Sequence, residues 1–185
     1  MKIVAGKNKG NKLKPLKSIS IRPTSQKVRE ALFDIIMPGI GETIFLDIFA
    51  GTGAVGIEAL SRGAKKVVFV EKELKCVKII IENLKKTKNY QFSLILNKRC
   101  LTGLRLLSRK KYLFDYIFLD PPYNKGMVNS TITEISELRI LKEDGIIIIQ
   151  HHKKEIVKNN YNGLKMFRQK KYSESMLSFY KYIDN

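Results

Sequence analysis

The chain has no tryptophan, two cysteines, two histidines and five prolines, and it is short of acid, with 17 Asp and Glu against 35 Lys and Arg. Each shortage excludes something. Cys76 and Cys100 stand alone without Cys-x-x-Cys spacing, so neither a disulfide framework nor a zinc site is expected. His151 and His152 are adjacent and share no helix face, and no metal is expected. No run of about 18 apolar residues exists, which argues against a membrane-spanning helix. Met1-Lys2-Ile3-Val4-Ala5 breaks straight into polar Gly6-Lys7-Asn8, unlike a signal peptide, so a soluble cytoplasmic protein is expected. No repeat or linker divides the 185 residues, and a single domain over 1–185, acting as a monomer, is the expectation.

What is present in excess is positive charge. A formal net charge of +18 makes polyanions the natural partners. The charge is uneven, gathering in Lys2 to Lys17, Lys85 to Lys88, Arg105 to Lys111 and Lys153 to Lys171. Lys2 to Ala5 and Lys12 to Leu16 read as two short strands around the loop Gly6-Lys7-Asn8-Lys9-Gly10-Asn11. Residues 1–20 thus form a basic hairpin arm, too small to build much core of its own. Lys7, Lys9, Lys12 and Lys14, with Arg22 beyond them, are the candidate RNA contacts.

Arg22-Pro23-Thr24 reads as a helix entry, with Thr24 as N-cap before Val28, Ala31, Leu32, Ile35 and Ile36 at helical spacing, and Pro38-Gly39 as the stop. From Thr43 onward, strands and helices alternate, which predicts a parallel α/β sheet. Strands are expected at 44–48, 66–70, 92–96, 115–119 and 145–150. Helices are expected from the glycine loop to about Ser61, over 74–86, over about 101–109 and over 131–141. Lys165 to Gln169 with Met176 to Lys181 reads as a closing antiparallel hairpin. The whole predicts a doubly wound, Rossmann-like, mostly parallel seven-stranded sheet of order 3-2-1-4-5 through its parallel part, with the small N-terminal hairpin and helix as an extension.

Gly51-x-Gly53-x-x-Gly56 lies between a strand and a helix, and Glu71 ends the next strand twenty positions after Gly51; this is the nucleotide-loop fingerprint in its proper context. The loop by itself serves NAD or S-adenosylmethionine equally, since both carry an adenosine ribose. Asp47, late in an apolar strand, tilts the balance. Asp47, Glu71 and Asp120 make a site too acidic for a pyrophosphate and suited to a ligand with a sulfonium and an ammonium group. Asp120-Pro121-Pro122-Tyr123 ends the fourth strand abruptly, because two prolines cannot continue a sheet ladder. It offers a carboxylate, a carbonyl and an aromatic face, a set that fits a planar amino group on a stacked base. In the expected topology strands 1 and 4 are neighbours, so this turn meets the glycine loop.

The segments Arg22-Pro23-Thr24, Val28-Arg29-Glu30-Ala31-Leu32-Phe33, Leu46-Asp47-Ile48-Phe49-Ala50-Gly51 continuing to Ala64, and Asp120-Pro121-Pro122-Tyr123 resemble the bacterial 16S ribosomal RNA guanine-N2 methyltransferase family that modifies guanine 966. The resemblance implies a class I methyltransferase fold, S-adenosylmethionine as methyl donor, and 16S ribosomal RNA or a small-subunit assembly intermediate as partner. It implies that Asp47, Phe49, Gly51 and Gly53 line the donor site, that Glu71 holds the ribose, and that Asp120, Pro121, Pro122 and Tyr123 hold the target base. Where the family tends to place a small polar or acidic residue near the adenine, this chain has Arg99-Cys100; where an acidic residue is common at the fifth strand end, it has Gln150. Other readings of the same residues are a DNA adenine or cytosine amino-methyltransferase, an NAD-dependent oxidoreductase, and a non-catalytic RNA-binding module.

Overall fold

The structure, a computed structural model, describes residues 1–16, 26–123 and 126–183. Five strands, β1 (Ile44–Ile48), β2 (Lys66–Glu71), β3 (Ser93–Asn97), β4 (Phe114–Leu119) and β5 (Leu141–His152), run parallel. Strands β6 (Asn160–Tyr161), β7 (Leu164–Tyr172) and β8 (Ser175–Tyr182) continue the sheet antiparallel. The order is β3-β2-β1-β4-β5-β8-β7-β6, so the expected 3-2-1-4-5 core is present in a sheet of eight strands rather than seven. The extra strand comes from Asn162-Gly163, both at positive φ, which closes a two-residue hairpin between Tyr161 and Leu164. Asn-Gly is the residue pair that such a turn favours.

Helices α1 (Gln26–Ile36), α2 (Ala54–Ser61) and α3 (Leu74–Lys86) cover one face of the sheet, and α4 (Cys100–Arg109) with α5 (Met127–Leu138) covers the other. In α3, Val77, Ile80 and Leu84 are buried at the 3.6-residue period that an amphipathic helix requires. The expected helix over 131–141 is displaced toward the N-terminus. It ends at Arg139 in the left-handed conformation, and Leu141, whose apolar spacing prolongs the helical pattern, instead opens β5 opposite Phe114. The Arg22-Pro23-Thr24 helix entry lies outside the described residues; Met37–Gly39 form a 3₁₀ turn after α1.

The N-terminal arm folds back on itself through a single antiparallel bridge, Lys2 to Lys12, in place of two strands. It forms no core of its own but contributes to the shared one: Ile3 and Leu13 are buried against the α1–α3 face. Burial of two such side chains stabilises by about 1.5–3 kcal/mol each before ordering costs. The reason is what lies beneath. Every residue of α2 is buried, Glu58 included, because the arm covers its outer side: Val4 and Ala5 donate backbone N–H bonds to the Glu58 carboxylate at 2.9 and 3.0 Å. Glu58 also faces Arg62 at 2.9 Å and the fully buried Arg29 at 3.4 Å.

Candidate active site

The ends of β1 and β4 lie side by side, with Leu119 opposite Ile48 and the Asp120 N–H 3.5 Å from the Ile48 carbonyl. That pairing brings the Asp-Pro-Pro-Tyr turn next to the glycine loop, as the topology predicted. Phe49, Gly51 and Gly53 all adopt positive φ, which turns the chain sharply off the strand and into α2, for which Gly53 is the N-cap. The glycines differ in purpose. A Cβ on Gly51 would meet nothing nearer than the Phe49 carbonyl at 3.9 Å, so its open side is available to a ligand. A Cβ on Gly56 would stand 2.4 Å from the Phe69 ring, so this glycine serves close packing of α2 on β2.

Two carboxylates hold the loop. Asp47, almost fully buried, accepts the Gly56 N–H at 2.9 Å. Glu71 accepts the Gly51 N–H and the Glu73 N–H, each at 2.8 Å, linking β1 to β2 at their carboxyl ends. Burial pushes the Asp47 carboxyl well above the usual carboxylate range; the Gly56 N–H opposes this, while the nearby charges of Asp120 and Glu71 add to it. Three acids thus crowd one edge. A cationic ligand relieves their repulsion and a pyrophosphate would worsen it, so the donor set fits the sulfonium and ammonium groups of S-adenosylmethionine.

Beside the loop a cleft of about 680 Å³ opens between β2 and the N-terminus of α4, lined by Phe49, Val70, Lys72, Asn97, Arg99 and Cys100 among others. Arg99 and Cys100 therefore both reach the cleft. Arg99 is exposed at its rim. The Cys100 thiol is buried 3.7 Å from the Thr131 hydroxyl, and burial raises its pKa to about 11, so it is a neutral wall rather than a nucleophile. Asn97 escaped sequence reasoning. Its side-chain amide donates to the carbonyls of Glu71 and Lys72 at 3.0 and 2.9 Å, fixing the end of β2 on which the cleft is built; no local spacing announces a partner 26 residues away.

Pro121 is buried, Pro122 exposed, and Tyr123 half-buried. The Tyr123 hydroxyl lies 3.1 Å from Ser175 Oγ and receives the Gln150 amide at 3.3 Å, and its ring packs 5.6 Å from that of His152. Gln150 therefore braces the aromatic member of the turn. The arm's lysines are spread along its length: the Lys14 N–H donates to Asn83 Oδ1 at 2.7 Å, and the Asn83 amide donates to the Thr52 carbonyl of the glycine loop at 3.1 Å. Lys7 and Lys9 flank a tip that bonds to Ser61 and Thr87, at the C-terminal ends of α2 and α3 and so at the sheet edge opposite the Asp120–Tyr123 turn. Lys7 lies 5.0 Å over the Phe92 ring, and Lys14 pairs with Glu82 at 2.6 Å. Lys12 is exposed, and Arg22 lies outside the described residues. No cluster of potential metal ligands exists among the described residues, and no described helix is long and apolar enough to cross a membrane.

A 3-2-1-4-5 sheet carrying a glycine loop, a strand-end carboxylate and an Asp-Pro-Pro-Tyr turn at one edge defines a Rossmann-like methyltransferase. Within that class, the model of the family described as Conserved hypothetical protein 95 matches residues 1–181, and the chain belongs to that family. It is 35% identical over 168 residues to Ribosomal RNA small subunit methyltransferase D of Haemophilus influenzae, covering 89% of this chain and 86% of the relative. The protein of the same name from Escherichia coli is 31% identical over 150 residues, covering 81% and 74%. Among solved structures, a hypothetical protein of Thermus thermophilus superposes with a TM-score of 0.84 at 27% identity, with 99% of each chain covered.

Proposed function

We propose that the chain transfers a methyl group to the exocyclic N2 amino group of a guanine in 16S ribosomal RNA, free or within a small-subunit assembly intermediate. It is a small-subunit ribosomal RNA methyltransferase, and its cofactor is S-adenosylmethionine, which supplies an electrophilic methyl group when bound. The observation that carries the reading is the turn from Asp120 to Tyr123, held beside the glycine loop by β1–β4 pairing and braced at Tyr123 by Ser175, Gln150 and His152. Guanine is chosen among amino-bearing bases on the family resemblance of that turn and its companion segments.

The protein's own part is positioning and charge. The amino lone pair of guanine is delocalised into the ring and is a poor nucleophile. The Asp120 carboxylate and the Pro121 carbonyl accept the two amino hydrogens and draw the nitrogen toward a tetrahedral geometry, while Tyr123 fixes the plane of the base. Oriented reactants and preorganised acceptors account for the rate. The proton released on methylation passes to Asp120 or to water. Gly51 lets the backbone approach the donor, Glu71 accepts from its ribose hydroxyls, and Asp47 holds the loop that forms the donor site.

The direct test is incubation of the purified protein with S-adenosylmethionine and unmodified small-subunit ribosomal RNA, followed by digestion and mass spectrometry of the nucleosides. N2-methylguanosine is the expected product. Methylation found only on adenine N6 or cytosine N4 would overturn the guanine assignment.

A further inference from the structure

On the α1 face of the sheet a groove of about 510 Å³ runs between α1 and β7. Asp34 and Ile35 stand on its helix wall, and Arg168, Lys170, Lys171 and Tyr172 on its strand wall. The register ties that wall to the catalytic turn. Tyr172 pairs with Ser175 across β7 and β8, His152 pairs with Ser175 across β5 and β8, and Ser175 Oγ is 3.1 Å from the Tyr123 hydroxyl. Arg168 and Lys170 pair with Phe179 and Leu177 and share their face, which packs into the core beneath α1. Side chains on one face of a strand recur every two residues, a step of about 6.6 Å. Two exposed cations therefore stand in line, with an aromatic ring at the inner end beside the turn that holds the target base.

We propose that this groove takes the single-stranded RNA flanking the target nucleotide, with its phosphates on Arg168 and Lys170; the proposal rests on the ribosomal RNA methyltransferase reading and deepens it. Two cations, Arg168 and Lys170, against the single lining acid Asp34 favour a polyanion over a peptide of mixed charge. A base presented to the Asp120 turn must leave its stack, so the strand next to it is unpaired or opened. A basic groove that tracks the backbone, with an aromatic side chain within it, is the form in which proteins hold such a strand. This basic wall leads to the carboxyl edge of the sheet through the Tyr172–Ser175 pairing, whereas the tip of the N-terminal arm, bonded to Ser61 and Thr87, lies at the opposite edge.

The test is fluorescence anisotropy of the full chain with a short labelled single-stranded RNA of mixed sequence, comparing wild type with R168Q/K170Q and with K110Q/K111Q, a pair that removes equal charge at the end of α4. Melting temperature and S-adenosylmethionine affinity, measured alongside, confirm that each variant is folded. For R168Q/K170Q the dissociation constant should rise roughly tenfold at low salt, and the slope of log affinity against log salt should shrink by about 1.4, two contacts at about 0.7 each on a single strand. K110Q/K111Q should stay near wild type. Binding by R168Q/K170Q within about twofold of wild type, or an equal loss in both variants, would overturn the groove. Binding is read without catalysis, so a failure to form N2-methylguanosine would count against the guanine assignment and not against the groove.

Discussion

Asp47, 1% exposed and facing two further acids, is where charge and packing conflict most. Its folded pKa is raised, so it opposes folding increasingly as pH climbs from the unfolded carboxylate value toward the folded one, and the penalty then levels off. Asp47→Asn keeps an acceptor for the Gly56 N–H and removes the charge. The variant's stability advantage over wild type in urea denaturation should therefore be small at about pH 4 and larger at pH 7, while its affinity for the cationic cofactor falls. An advantage independent of pH would mean that Asp47 does not titrate within this range. Glu71 accepts the Gly51 and Glu73 amides, and ribose recognition is the further role proposed for it. Glu71→Ala should weaken S-adenosylmethionine binding by at least about 1.5–3 kcal/mol, the range for hydrogen bonds to a charged group; calorimetric titration with unchanged affinity would restrict Glu71 to the amides. Asp120→Ala should abolish methyl transfer and leave cofactor affinity within a few-fold, and a residual rate above about a tenth of wild type would remove Asp120 from the chemistry.

At the scale of elements, the arm, α1 and α2 are joined through one carboxylate. Glu58 receives the Val4 and Ala5 amides and Arg62, with Arg29 at 3.4 Å, and Arg29 in turn donates to the Lys2 carbonyl. Arg62 also lies 4.8 Å over the Phe33 ring of α1. Removing one partner from a buried ionic cluster strands the others, so Glu58→Ala should cost about 3–5 kcal/mol of stability. It should also release the arm, read as rapid amide hydrogen exchange at Val4 and Ala5; slow exchange there in the variant would show that Ile3 and Leu13 alone hold the arm. The arm is thus a structural clasp over α2, and its lysines are carried on a docked element rather than a free one.

For the whole molecule the dominant feature is a net charge of +18. Self-repulsion of that size is relieved by screening, so the melting temperature should rise as sodium chloride is taken from a few millimolar to about 0.15 M, where the Debye length is about 8 Å. A short RNA that binds the native state should raise it further by mass action. A melting temperature that falls over the same range would mean that favourable ion pairs outweigh the repulsion. Replacing Lys7, Lys9, Lys12 and Lys14 together with Gln tests the arm as an RNA contact: a reduced salt slope and lower turnover on ribosomal RNA are expected, with cofactor affinity unchanged, and an unchanged slope would assign the RNA contact to other surfaces.

The alternation of apolar strands and amphipathic helices determined the sheet order, and with it the meeting of Gly51 and Asp120, because a parallel α/β chain has few ways to bury both faces of its strands. The acidic edge was equally legible, since Asp47 stands in an apolar strand with nothing local to neutralise it. Tertiary structure alone decided the rest. Whether Ile140 and Leu141 prolong a helix or open a strand depends on Phe114, a residue distant in the chain, so local spacing cannot distinguish them. The bracing of Tyr123 by Ser175, the hold of Asn97 on β2, and the docking of a lysine-rich arm on a buried glutamate are contacts between residues 26 to 54 positions apart. Periodicity reports which side of an element is apolar. It carries no record of the polar partner that the fold will bring to that side, and so these contacts appear only when the chain is folded.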